Sequence, residues 1–196
     1  IGVRLVGSEM CIRDRIKAAG ILIPGGFGNR GISGKIEAIR YARENQIPFL
    51  GICLGMQLSI IEFTKNVLKM KNSGSSEFGK HTNNVISLMT EWSKKNQKVT
   101  RTKENDLGAT MRLGSYPCYI KHKSLASKIY KKKLIFERHR HRYEVNPKYR
   151  SSIEKKGLVF SGFSKDKKLL EIIENKYHKW FLGVQFHPEL KSKPFK

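Results

Sequence analysis

Phe49-Leu50-Gly51-Ile52-Cys53-Leu54-Gly55-Met56-Gln57 decides how this chain is read, because it sets a cysteine between a short apolar run and a helical pattern. Ile47-Pro48-Phe49-Leu50-Gly51-Ile52 predicts a buried strand, its proline at the start where a missing amide is tolerated. Leu54 to Lys69 predicts a helix with Leu58, Ile61 and Leu68 toward the core. Between them, Gly51-x-Cys53-x-Gly55 forms an elbow. Glycines on both sides allow a strained turn that Cβ atoms would block, which exposes the sulfur, and the helix N-terminus behind it favours a thiolate. A lone cysteine is more commonly a buried structural residue. That role asks for neither flanking glycines nor a strand-to-helix turn.

Working outward, short apolar runs alternate with helical patterns, the signature of an α/β domain. Ile21-Leu22-Ile23 reads as a strand ended by Pro24-Gly25-Gly26, and Gly34 to Asn45 as an amphipathic helix carrying Ile36, Ile39 and Ala42. Lys71 to Leu107 is polar and reads as long loops, broken by an apolar patch at Val85 to Met89 and by Trp92. Strands are then expected at Cys118 to Ile120, Phe136 to Val145, Leu158 to Ser161, Leu169 to Glu174 and Trp180 to Phe186, with a helix near Ser124 to Tyr130. Residues 1–15 show neither period, look like translated adapter sequence, and are read as a non-native segment; residues 16–196 then form one domain.

A cysteine that attacks an amide needs a base and a group to orient that base. Phe186-His187-Pro188-Glu189 supplies both: on an extended segment His187 and Glu189 point the same way, so Glu189 can turn the imidazole toward Cys53. Pro24-Gly25-Gly26-Phe27-Gly28, together with the Leu54 amide, offers backbone N–H groups for a developing oxyanion. The same glycine-rich turn lacks the GxxxxGK[ST] and GxGxxG patterns of phosphate loops.

The 196 residues, 39% of them hydrophobic, suit one folded domain with a buried core. No apolar run approaches the roughly 20 residues of a membrane-spanning helix. Three cysteines with no CxxC pair argue against both a disulfide framework and structural zinc, and with no signal-peptide pattern they point to a reducing, cytoplasmic setting. Lys and Arg number 39 against 16 Asp and Glu, a net charge of +23, which raises a basic nucleic-acid-binding module as an alternative. The lysines are spread through polar stretches without interleaved aromatics, so a solvated surface is the simpler reading and nucleic acid is not the expected partner.

Gly25-Gly26, Gly51-Ile52-Cys53-Leu54-Gly55 and His187-Pro188-Glu189, in that order, resemble the class I glutamine amidotransferase family of the triad type. Five blocks sharpen the resemblance: PGGFGNRG (24–31), IPFLGICLGMQLSIIEF (47–63), DLGATMRLG (106–114), ERHRHRYEVN (137–146) and QFHPEL (185–190). The resemblance implies a flavodoxin-like α/β fold with a central mixed, mostly parallel sheet flanked by helices. It implies Cys53 as nucleophile, His187 as acid and base, and Glu189 as its orienting partner. L-Glutamine would be held by Gly26, Leu54, Gly55, Met56, Gln57, Glu77 and Arg142, a carboxylate facing the α-ammonium and a guanidinium gripping the α-carboxylate. Arg138 and Arg140 share the strand face of Arg142 and are open to the same role. The five blocks further imply an ammonia-dependent synthetase domain as partner, holding ATP, UTP and Mg2+, activation by GTP near Phe27 to Gly31, and a homotetramer. The domain itself needs no metal or cofactor. Against that family, the chain reads as a fragment, expected to be a glutaminase domain apart from its N-terminal synthetase domain and clipped before the family's usual closing helix. Other class I amidotransferases, and relatives that hydrolyse γ-glutamyl or peptide bonds, stand as alternatives.

Overall fold

The computed structural model describes residues 18–88 and 111–192; the readings of residues 1–15 and of the stretch from Met89 to Leu107 lie outside them. The first half follows the predicted alternation: β1 (Ile21–Ile23), α1 (Ile32–Glu44), β2 (Phe49–Ile52) and α2 (Leu54–Asn66). Then come β3 (Ser73–Ser75), β4 (Asn83–Leu88), β5 (Arg112–Ile120), α3 (Leu125–Tyr130), β6 (Leu134–His141) and β7 (Tyr143–Val145). The described chain closes with α4 (Arg150–Lys155), β8 (Leu158–Phe163), β9 (Leu170–Asn175) and β10 (Phe181–Val184).

Among the described residues, seven strands form the main sheet in the order β1-β2-β10-β9-β8-β5-β6, flanked by helices. The sheet is mixed, as the family resemblance implies, but it is not mostly parallel. Only β1 with β2 and β2 with β10 run parallel, while β10–β9, β9–β8, β8–β5 and β5–β6 are antiparallel. Connection length explains the split. A parallel neighbour needs a crossover long enough for a helix, which α1 provides between β1 and β2, whereas the short turns at 164–169 and 176–180 force β8, β9 and β10 to alternate.

Neighbouring residues along each strand enter opposite cores, as the pleat demands: Phe181 and Ile173 pack on one side, Leu182 and Ile172 on the other. α1 and α2 cover the first side through Ile39, Ala42, Leu58 and Ile61, and α3 covers the second through Ala126. The expected one-sided α2 is corrected by the structure, since every residue from Leu54 to Thr64 is buried. The cause lies in the stretch read as loops, where β3 and β4 join β7 in a second, three-stranded sheet that packs against α2. A helix held between two sheets has no free polar face. Glu62 on it is buried and is neutralised by Arg43 of α1, whose Nη2 and Nε donate to the carboxylate at 2.7 and 2.9 Å. Among the described residues, no helix is long and apolar enough to cross a membrane.

Candidate active site

Parallel pairing brings the site together. Ile23 lies opposite Gly51, and Ile52 opposite Val184, so the loops leaving β1, β2 and β10 emerge at one edge of the sheet. Carboxyl ends of parallel strands are where α/β sheets place their ligands. Here they deliver Gly25, Cys53 and His187.

Cys53 occupies the elbow in a backbone conformation of φ 50° and ψ −102°, positive for a residue that carries a Cβ. Its N–H donates to the Val184 carbonyl at 2.7 Å, which ties the strained turn to β10. The flanking glycines are demanded by close approach. A Cβ on Gly55 would stand 2.2 Å from the Ile23 carbonyl oxygen, and one on Gly51 2.7 Å from the Gly55 carbonyl carbon. The elbow turns the sulfur into a cavity rather than out to solvent, leaving Cys53 only 4% exposed. Burial therefore dominates and pushes the thiol up to about 12. The Leu54 N–H at the helix N-terminus pulls the other way, and the carboxylates of Glu144, Glu189 and Glu77 add to the upward push. The helix N-terminus does favour the thiolate, as expected, but desolvation outweighs it.

His187 and Glu189 pair as the motif requires, with Nδ1 to Oε1 at 2.7 Å. The geometry differs from the extended segment expected from sequence, since Pro188–Leu190 is a 3-10 turn that folds the carboxylate back onto the ring. A carboxylate only accepts, so Nδ1 carries the hydrogen and Nε2 presents its lone pair. That Nε2 is buried and has no hydrogen-bond partner among the described residues. The His187 N–H donates to the Arg138 carbonyl at 2.8 Å, anchoring the loop on β6. Gly25 fits between base and nucleophile: a Cβ there would lie 2.7 Å from His187 Cε1 and 3.6 Å from Cys53 Cβ.

These groups open on a cavity of about 520 Å³ lined by Gly26, Phe27, Cys53, Gln57, Glu77, Met111, Arg140, His141, Arg142, Tyr143 and His187. Of the candidate glutamine contacts, Gly26, Gln57, Glu77 and Arg142 thus reach the cavity, while Leu54, Gly55 and Met56 are buried beneath it. Glu77 is held by the glycine loop, its Oε1 accepting from the Gly28 N–H at 3.1 Å. The three arginines do not share one face. Arg138 and Arg140 lie on the exposed side of β6, whereas Arg142 follows the strand's end at His141; of the three, Arg140 and Arg142 line the cavity.

Sequence reasoning missed the polar groups behind this wall. On β6 the residues alternate, so Glu137, His139 and His141 face inward. His141 Nδ1 donates to the Tyr143 carbonyl at 3.1 Å, and its Nε2 therefore accepts from His139 Nδ1 at 2.9 Å. Burial, with Arg112 adding to it, pulls His139 down to about 2 and His141 to about 3, so both stay neutral. Arg112 bridges two buried carboxylates, Glu144 at 3.3 Å and Glu171 at 2.8 Å. The period-2 pattern Glu137, His139, His141 in the sequence was the available signal for this inward polar stripe.

The class of protein follows from this arrangement, an elbow cysteine facing a carboxylate-held histidine at the carboxyl edge of an α/β sheet. The model of the family "Glutamine amidotransferase class-I" matches residues 4–196, and the chain belongs to that family. Within the family it is of the CTP synthase glutaminase type. It is 60% identical over 184 residues to the CTP synthase of Pelagibacter ubique, covering 93% of this chain and 34% of that protein. It is 58% identical over 177 residues to the CTP synthase of Aquifex aeolicus, covering 90% of this chain and 32% of that protein. The glutaminase domain of Trypanosoma brucei CTPS, solved with bound acivicin, superposes with a TM-score of 0.84 at 39% identity, covering 95% of this chain and 69% of that one. A GMP synthase subunit from Thermoplasma acidophilum, described as putative, shares the fold alone, with a TM-score of 0.56 at 16% identity over 93% of this chain and 69% of that one. The chain spans about a third of the length of the curated relatives it matches.

Proposed function

We propose that the chain hydrolyses L-glutamine at Cys53 and supplies the ammonia with which a CTP synthase aminates UTP. The observation that carries the reading is His187: its Nδ1 is fixed by Glu189 at 2.7 Å and its buried Nε2, beside the Cys53 elbow, has no hydrogen-bond partner among the described residues. A general base is needed because the buried thiol does not ionise unaided near neutral pH.

In this mechanism His187 Nε2 takes the thiol proton as the sulfur attacks the side-chain amide carbon. The carbonyl electrons move onto oxygen, which the amides of Gly26 and Leu54 receive. Collapse of the adduct breaks the carbon–nitrogen bond, and the leaving nitrogen takes the proton from His187 to depart as ammonia. A γ-glutamyl thioester remains. Water attacks it with its proton passing to His187, and the proton returns to sulfur as glutamate leaves. Glu77 faces the substrate's α-ammonium, Arg142 with Arg140 beside it faces the α-carboxylate, and Gln57 lines the floor.

ATP, UTP and Mg2+ belong, on this proposal, to a synthetase domain outside this chain, with GTP as activator and a homotetramer as the assembled form in a cytoplasmic enzyme. The test uses the intact protein with either glutamine or free ammonia as nitrogen donor. Cys53→Ala is expected to lose glutamine-dependent CTP formation and keep the ammonia-dependent reaction. Loss of neither, or CTP formation from neither donor in the wild type, would contradict the proposal.

A further inference from the structure

We infer that Gln185 is a positioning residue for this site, donating its side-chain N–H to the Cys53 sulfur while holding the amide of Gln57 in one orientation. The inference rests on reading Cys53 as the nucleophile. It begins from a group that can only accept, the Tyr143 carbonyl, which takes a hydrogen bond from Gln57 Nε2 at 3.0 Å. That contact fixes which end of the Gln57 amide is nitrogen. The second hydrogen of the same nitrogen points at Gln185, whose Oε1 accepts it at 3.2 Å. Gln185 must then turn its own nitrogen the other way, and Nε2 lies 3.8 Å from Cys53 Sγ. Hydrogen-bond direction is thereby passed from a backbone carbonyl through two amides to the sulfur. Flipping either amide would set donor against donor or acceptor against acceptor.

The relay is rigid. Gln185 is wholly buried, its backbone N–H donates to the Glu171 carbonyl at 2.8 Å, and Gln57 is 3% exposed. Two consequences follow. A donor aimed at the sulfur stabilises the anion that burial disfavours, as the thiol proton passes to His187. Both hydrogens of Gln57 Nε2 being committed, its Oε1 is the atom left to meet substrate in the cavity. A methionine in place of Gln185 would fill the space and do neither. A glutamate would keep the acceptor for Gln57 but bring negative charge to the sulfur.

This contrast makes the test. In the intact protein, Cys53 alkylation by iodoacetamide is followed by mass spectrometry from pH 7 to 9, and the KM for glutamine is measured alongside, for wild type, Gln185→Met and Gln185→Glu. Alkylation at a given pH is expected to fall about tenfold in Gln185→Met, the loss of one hydrogen bond to a charged group, and further in Gln185→Glu. KM is expected to run in the other order, rising several-fold in Gln185→Met and staying nearer wild type in Gln185→Glu. A packing role would disturb both measures in the same order, since the two replacements are of similar volume. The same order in both, or no change in either, overturns the inference. If Gln185→Met does not fold, Gln185→Glu decides alone: slowed alkylation with near-normal KM supports the inference and any other pairing overturns it. Cys53→Ala keeps the two layers apart. Glutamine turnover surviving that change would overturn the nucleophile itself, while lost turnover with unaltered Gln185 variants overturns only the role of Gln185.

Discussion

Cys53 is held in a positive-φ conformation by its hydrogen bond to Val184 of β10, and its burial disfavours the thiolate. Strain and desolvation both cost stability, and a site that persists despite them points to the chemistry they serve. Cys53→Ala is expected to lower glutamine hydrolysis by at least about 10⁴-fold while the far-ultraviolet circular dichroism stays unchanged, because alanine keeps the same Cβ. Retained turnover would remove Cys53 from the mechanism. His187→Ala is expected to cost about as much, and Glu189→Ala roughly ten- to a hundredfold less, since the carboxylate orients the ring and takes no proton. Equal losses at the two positions would give Glu189 a different role. These three residues were legible because each sits in a motif a few residues long. Gln185, one position before Phe186 in the same block, was not. Its meaning depends on a chain of contacts that joins residues 57, 143 and 185, which no local spacing reveals.

At the scale of elements, the site exists because β1, β2 and β10 run parallel and end together, with α2 pressed against them at the elbow. Gly55→Ala should expose that dependence, since its Cβ would sit 2.2 Å from the Ile23 carbonyl oxygen, a backbone atom that cannot swing away. Overpacking of this kind costs roughly 1–3 kcal/mol, read as a lower midpoint in denaturant, and the displaced elbow should lower turnover as well. A variant as stable and active as wild type would show that helix and strand do not need this close approach. Strong local signals made these elements legible: Gly-rich turns, a proline at a strand start, helical periods. The antiparallel half was harder to read, because strand direction is set by connections and partners rather than by composition. The burial of α2 on all sides was equally hidden, being decided by β3 and β4, which lie in a stretch that reads as polar loop and join β7 in the small second sheet.

Over the whole molecule, the net charge is +23 and most of the described lysines are exposed, while the described interior holds an unbalanced acidic cluster, Glu144 and Glu171 sharing Arg112. Burial raises Glu144 from 4.5 to about 7, partly offset by Arg112, and the nearby Glu171 is raised as well. A carboxyl whose folded-state value is raised prefers to fold protonated, so it stabilises the protein fully at low pH and loses that contribution as pH climbs from about 4.5 to about 7. The loss from Glu144 is on the order of 3 kcal/mol. Glu144→Gln, which can still accept from Arg112, is expected to flatten the fall in stability between pH 5 and pH 8, read from unfolding midpoints at the two values; an unaltered fall would contradict the assignment. Nothing in composition foretold this cluster, whose members come from β5, β7 and β9. The central claim, that Cys53 is a glutamine-directed nucleophile, is tested most directly by treating the protein with the glutamine mimic 6-diazo-5-oxo-norleucine and mapping the adduct by mass spectrometry, with glutamine as competitor. The account predicts a single adduct at Cys53 that glutamine suppresses; an adduct elsewhere, or one at Cys53 that glutamine leaves untouched, would contradict it.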